Sequence, residues 1–247
     1  VRRLSPTLES IVLLAALSFV LAWAFRSLGY DWNWSAVWEY REKLASGWLM
    51  TVQLAIFSLF VSTALGLLLA LMQSSRLPFV ATGSKLYVEL IRGTPLLVQI
   101  LVFFYVLAEA VGLRDRYVVG VLTLSSFSGA YMSEIFRAGF ASVGKTQIDT
   151  ALSLGLTRWQ VFRYVRFPLA LRLILPPMGG QFASLVKDSS LLSIIAIGEF
   201  TLAAQEVNSF TFSTLETYLP LALGYLVLTL PFSLLSRRLE QRLRYET

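Results

Sequence analysis

The chain contains no cysteine and no histidine. The first absence excludes disulfides, thiolate metal sites and cysteine nucleophiles. The second removes the commonest metal ligand and the commonest general base. Charge is scarce too: Asp, Glu, Lys and Arg make up 15% of the 247 residues, where about 25% is usual for a soluble domain. Apolar residues fill the place of the missing charge. Hydrophobic residues reach 56%, and mean hydropathy is +0.66. A soluble domain so apolar would have too little polar surface to stay dispersed. The chain therefore reads as an integral membrane protein. Its 8 prolines and 15 glycines lie scattered through apolar segments, which argues against disorder. Ser–Lys pairs and carboxylates still permit catalysis, but the loss of both His and Cys counts against an enzyme. The net charge of +6 reads as a bias between two membrane faces, so no nucleic-acid partner is expected.

A membrane-crossing helix needs about 17–25 mainly apolar residues. The sequence offers about six such runs, at 10–25, 47–72, 95–111, 117–136, 173–198 and 217–235. The fifth run contains Pro176, Pro177, Gly179 and Gly180, which read as a break, and it carries Lys187 and Asp188. The first run has a rival reading as a signal peptide, since Ala22-Trp23-Ala24 has a small-x-small form; the Trp within that site counts against it. With six spans and a cytoplasmic N-terminus, 15 Lys and Arg face the cytoplasm and 5 face outward. That asymmetry puts both termini inside. Trp32, Trp34, Trp38 and Trp48 then gather near the outer interface. No internal repeat is visible, which disfavours a two-half transporter within one chain.

The loop between spans four and five, 137–172, is the longest cytoplasmic stretch and reads as two short helices. Thr146 is the expected N-cap of the first, with Asp149 at its third position and Gly155 as its C-terminal stop. Thr157 caps the second, which carries Trp159, Phe162 and Val165 and is expected to end at Pro168. Leu152, Leu154, Leu156, Trp159 and Phe162 need a cover, either their own bundle or a partner.

Asp149-Thr150-Ala151, three residues, Gly155, nine residues and Val165-Arg166-Phe167-Pro168 resemble the EAA loop of bacterial ABC-importer permeases. The segment Glu89–Gln99, with Arg92-Gly93-Thr94-Pro95 at its heart, is similar to the polar amino-acid subfamily. So are Gly129-Ala130-Tyr131 with Glu134 and Arg137, Lys187-Asp188-Ser189-Ser190-Leu191, and Glu199-Phe200-Thr201. Asp replaces the motif's Glu, and Thr its first Ala. The resemblance covers about residues 45–240.

It implies an all-α membrane protein with a five-helix importer core, one extra N-terminal helix and two short cytoplasmic coupling helices. Residues 1–45 form the extra helix and outer loop, 46–240 the transmembrane domain and 241–247 a cytoplasmic tail. The location implied is the bacterial inner membrane. The partners implied are two ATP-binding subunits, a second permease, identical or homologous, and an extracytoplasmic binding protein. Polar amino acids are the implied substrate, with membrane lipid around the chain. No Gly-x-x-x-x-Gly-Lys-Ser/Thr loop occurs, so no cofactor is expected on this chain, and ATP and Mg belong to the partner ATPase.

Asp149, Thr150, Ala151, Gly155, Leu156, Thr157, Arg158 and Trp159 are the candidate coupling residues. Gln99, Gln181, Lys187, Asp188, Ser189 and Ser190 are the candidate substrate path. An intramembrane charge costs at least about 2.5–3.5 kcal/mol, so Lys187 and Asp188 need a counter-ion, water or a charged solute. Glu134 with Arg137 and Glu89 with Arg92 read as local pairs at i, i+3. Three rivals stand beside a permease: a secondary transporter or channel driven by an ion gradient, an intramembrane Ser–Lys enzyme, and an assembly subunit without a path.

Overall fold

A computed structural model describes residues 29–243 continuously, with part of 12–27. Half of the front span expected at 10–25 lies outside the described residues, as do Arg2, Arg3 and 244–247. All regular structure among the described residues is helical. The helices are α1 (Trp34–Glu39), α2 (Arg41–Gln73), α3 (Pro78–Gly93), α4 (Leu96–Ala108), α5 (Arg116–Ala141), α6 (Lys145–Ser153), α7 (Arg158–Ile195), α8 (Phe200–Thr211) and α9 (Thr214–Leu243). Helix is the conformation that satisfies every backbone polar group without water, as a single segment crossing hydrocarbon requires.

Helices α2, α5, α7 and α9 are each long and apolar enough to cross a membrane. The third span expected at 95–111 is different. Helix α4 is too short alone, and it joins α3 through a bend of 110° at Gly93-Thr94-Pro95. Pro95 lacks an N–H and disfavours helix at Thr94, so the chain must turn here. Sequence hydropathy missed α3 because it is amphipathic rather than continuously apolar.

Two seams hold the bundle. The first, between α2 and α5, is lined by small residues. Gly66 lies where a Cβ would collide with Met132, and Gly129 packs on Leu65. Ser58, Ser62, Ser125, Ser128 and Ser133 are buried. Small residues let two helix backbones approach and trade contacts that lipid cannot supply. The second seam joins α7 to α9. A Cβ on Gly179 would sit 2.9 Å from that of Ser236. The Ser236 hydroxyl donates to the Pro176 carbonyl at 2.5 Å.

This seam corrects two expectations. Pro176 and Pro177 do not break the fifth span; both lie inside one continuous helix. Nor does Pro168 end a separate short helix, because α7 runs unbroken from Arg158 to Ile195. A π-helical stretch, Val161–Arg166, precedes Pro168. Its widened turn relieves the proline ring's usual conflict with the preceding carbonyls. The second short helix expected in the loop is therefore the first turns of the span itself.

At the far end of α7 the chain tightens into a 3₁₀ stretch, Ser189–Ile195, and stops at Ala196 in the left-handed conformation. The Arg116 guanidinium holds the Ala196 carbonyl at 2.9 Å. Glu199 then caps α8, accepting from the Thr201 and Leu202 N–H groups and from the Tyr225 hydroxyl. Burial pushes this carboxyl up from its ordinary value, against those donors. The Phe200 N–H goes to Thr51 Oγ1 at 3.1 Å. Near the start of α9, Glu216 is fully buried. It accepts from the Tyr30 hydroxyl at 2.5 Å and from the Asn33 N–H. That bond to Glu216 raises the Tyr30 hydroxyl above its ordinary value.

Candidate functional site

Two features stand out, at different depths of the bundle. The first is a knob at one end, made of α6, the turn 154–157 and the first turn of α7. Gly144, not Thr146, occupies the N-cap of α6, and Thr146 falls inside its first turn. The C-terminal stop is as expected. Gly155 sits at φ +84°, where a side chain is strained. The Gly155 N–H bonds to the Leu152 carbonyl and the Leu156 N–H to the Ala151 carbonyl, at 3.0 and 3.3 Å. This double bond pattern closes the helix and reverses the chain. Thr157 and Gln160 then form a reciprocal capping box that starts α7.

Val143, Ile148 and Ala151 anchor the knob on the bundle, Val143 and Ile148 within one apolar cluster with Phe136 and Ile174. Leu154 and Trp159 point away from it, 76% and 69% exposed. The Trp159 and Phe162 rings stack at 5.8 Å. Asp149, Thr150, Arg158 and Leu152 are exposed as well, and Leu156 is half-buried. Among the described residues no cation lies within 4 Å of the Asp149 carboxylate. The eight candidate coupling residues thus share one structural unit, with Ala151 as its anchor.

The second feature is a cavity of about 650 Å³ between α3, α5 and α7, lined by Arg92, Tyr131, Glu134, Leu173, Pro177 and Gln181 among others. Glu134 binds Arg137 through both oxygens, at 3.1 and 2.7 Å. Arg92 does not pair with Glu89 among the described residues. It lies 3.7 Å from Glu134 and 5.2 Å above the Tyr131 ring. Sequence spacing favoured the local partner; the fold supplied a nearer carboxylate on α5. Arg92 and Glu134 were visible in the sequence as members of short motifs and of local i, i+3 pairs, and Tyr131 as a motif member alone.

Of the candidate path residues, Gln181 lines this cavity and donates to Ser128 Oγ at 3.3 Å. Leu173, Pro177, Gln181, Ser184 and Asp188 recur at helical spacing on one face of α7. Asp188 stands about 10 Å beyond Gln181 along the axis. Asp188 is half-buried and Lys187 exposed, and neither has an ion-pair partner within 4 Å among the described residues. Ser190 is half-buried nearby. Two residues turn elsewhere. Ser189 is fully buried, its hydroxyl committed to the Val186 carbonyl at 2.7 Å. Gln99 is buried at the α3–α4 bend, where its amide donates to the Ile91 and Thr94 carbonyls at 2.6 and 3.2 Å. It closes the end of α3 rather than facing open space.

An all-helical bundle with a bent span, an exposed knob and unpaired intramembrane charges is the architecture of a transport component. The chain belongs to the family of binding-protein-dependent transport system inner membrane components, whose pattern it matches over residues 62–245. It is a multi-pass inner-membrane protein. It is 36% identical over 216 residues to the glutamine transport system permease protein GlnP of Escherichia coli K12, covering 87% of this chain and 99% of that one. It is 35% identical over 212 residues to the probable glutamine ABC transporter permease protein GlnM of Bacillus subtilis 168, covering 85% and 98%. A solved amino acid ABC transporter with histidines contains a chain that superposes with a TM-score of 0.78 at 34% identity, covering 86% of this chain and all of that one. The MetNI methionine ABC transporter shares the fold, with a TM-score of 0.63 at 15% identity.

Proposed function

We propose that the chain is the permease subunit of an ATP-driven importer of polar amino acids. The exposed knob carries the reading: Leu154 and Trp159 stand 76% and 69% free of their own bundle. Burying such residues releases water from apolar surface, and the knob is shaped to enter a cleft on a partner. An ATP-binding subunit is that partner, two per transporter, and it holds ATP and Mg. Asp149, Thr150 and Arg158 surround the apolar tip with polar groups that set its orientation. A second permease, identical or homologous, completes the membrane unit, and an extracytoplasmic protein delivers the amino acid.

In this reading the α6 end is cytoplasmic and both termini lie inside, a placement that the charge asymmetry of the loops supports. Gln181, Ser184 and Asp188 mark the substrate route along α7, with Lys187 and Ser190 beside it. Two charges without counter-ions at membrane depth are tolerable only against water or a charged solute. Arg92, which shares the Glu134 carboxylate with Arg137, offers its guanidinium to the carboxylate of an amino acid in the cavity below. Closure of the ATPases, transmitted through α6 and the base of α7, would reset helix packing around this route. Glutamine is the first substrate to test, because two of the permeases this chain is similar to are named for it.

The experiment is ATP-dependent uptake of labelled glutamine into vesicles holding the complete transporter, with copurification of the ATPase on the permease. Both are expected. Uptake that follows an ion gradient without ATP, with no ATPase bound, would replace this reading with a secondary transporter. Asp188→Asn tests the route: altered rate or preference among amino acids, at normal assembly, is expected. An unchanged profile would place Asp188 off the route.

A further inference from the structure

A second groove, about 440 Å³, lies on the other flank of α5, between the end of α2, the end of α5 and the base of α7. Its floor is apolar, formed by Leu67, Leu71, Phe140 and Phe162 among others, and two arginines, Arg137 and Arg166, border it. The two cations differ. Arg137 is held by a two-oxygen bond to Glu134, a carboxylate it shares with Arg92. Arg166 is exposed, with its guanidinium 5.9 Å over the Phe140 ring, a 3.5 Å bond to the Phe140 carbonyl, and no carboxylate within 4 Å among the described residues. Leu67 and Leu71, one turn apart on α2, are exposed beside it.

The groove thus joins a cation with no carboxylate partner among the described residues to an apolar trough bordered by the exposed Leu67 and Leu71. A free inorganic anion would use the charge and leave the trough wet. An uncharged acyl chain would use the trough and leave the cation unpaired. An anionic phospholipid satisfies both: phosphate on the guanidinium, acyl chain against the leucines and aromatic rings. The level is right as well, given the cytoplasmic placement of the α6 end proposed above. Arg166 lies in the first turns of α7, at the end read as cytoplasmic, and basic pockets between spans on that side suit anionic headgroups. We infer that this groove is a binding site for an anionic phospholipid such as phosphatidylglycerol. Arg166 closes the π-helical stretch Val161–Arg166, which links the knob to the span. A bound lipid therefore braces the segment through which the ATPase would act.

The test uses the complete transporter in nanodiscs of phosphatidylcholine with and without phosphatidylglycerol. Lipids retained on the complex are read by native mass spectrometry, beside ATP-dependent uptake. Preferential retention of phosphatidylglycerol is expected for the wild type, for Arg166→Lys and for Arg238→Gln, whose arginine lies on another span. Arg166→Gln is expected to lose about fivefold of it. Phosphatidylglycerol carrying a photoreactive acyl chain is expected to label the peptides holding Phe140 and Phe162 in the wild type. Equal retention in Arg166→Gln and wild type overturns the site. So does an equal loss in Arg238→Gln, which would mean bulk attraction only. A photoreactive residue at Leu71 that joins a second permease instead of lipid gives the groove to the dimer. Normal uptake with any of these outcomes leaves the transport function standing while removing the lipid site.

Discussion

At the α8 end, Glu199 and Glu216 are fully buried, and Glu216 is held by Tyr30, which lies 186 residues away along the chain. At the α6 end, Leu154 and Trp159 stand mostly exposed, and the knob's hydrogen bonds join residues no more than five apart. One end is tied to itself by long-range polar bonds in a low-dielectric setting, where each lost partner is costly. The other end takes its shape from local caps and leaves its apolar tip uncovered. A structure that must stay fixed buries its polar groups and satisfies them internally. In the proposed reading, the knob that docks on the ATPase makes its shape locally and keeps its contact surface free.

Substitutions at both ends should separate these designs. Glu199→Ala strips the cap of α8 and leaves the Thr201 and Leu202 N–H groups and the Tyr225 hydroxyl short of an acceptor. It should cost about 2–3 kcal/mol, seen as a lower thermal transition of the purified complex. An unchanged transition would mean that water reaches those donors and that this end is not sealed.

Gly155→Trp comes next. A side chain at φ +84° should cost about 1–2 kcal/mol locally, with the spans inserted at near-normal levels. Pull-down of the ATPase and substrate-stimulated hydrolysis should both fall. Normal transport by this variant would remove the knob from the coupling route.

Thr157→Ala removes one half of the capping box and should cost about 1 kcal/mol. Faster hydrogen exchange at the start of α7, with the rest of α7 protected, is the expected record. Exchange that speeds along the whole span would show that the knob and span unfold together.

Trp159→Ala should have the smallest effect on the isolated chain, within about 0.5 kcal/mol, because the side chain is exposed. ATPase affinity should nonetheless drop, as expected of an aromatic anchor at an interface. A large loss of stability with unchanged ATPase binding would reverse the comparison and make the knob a packing element.

The legible parts of the sequence were those governed by local chemistry. Long apolar runs marked α2, α5, α7 and α9, because hydrocarbon requires apolar surface over a span's full length. Gly155 and Thr157 marked the turn of the knob, because a left-handed residue and an N-cap are decided within a few residues. Helices α3 and α8 were not legible as such, being shorter and amphipathic. The double proline misled because hydropathy carries no trace of packing: the helix runs on through Pro176 and Pro177, with Gly179 set against Ser236 of α9. The cavity group followed the same rule. Arg92 has a carboxylate three residues away in Glu89, yet the fold sets it beside Glu134 and over Tyr131.

The sequence by itself determined the membrane setting, the spans that cross unaided and the local shape of the knob, since each depends on composition or on hydrogen bonds between near neighbours. Only the tertiary structure decided which charges pair, which prolines are tolerated and which residues share a cavity. Those outcomes depend on which helix faces are brought within a few ångströms of each other, and in a bundle the faces that meet are chosen by the packing of the whole chain.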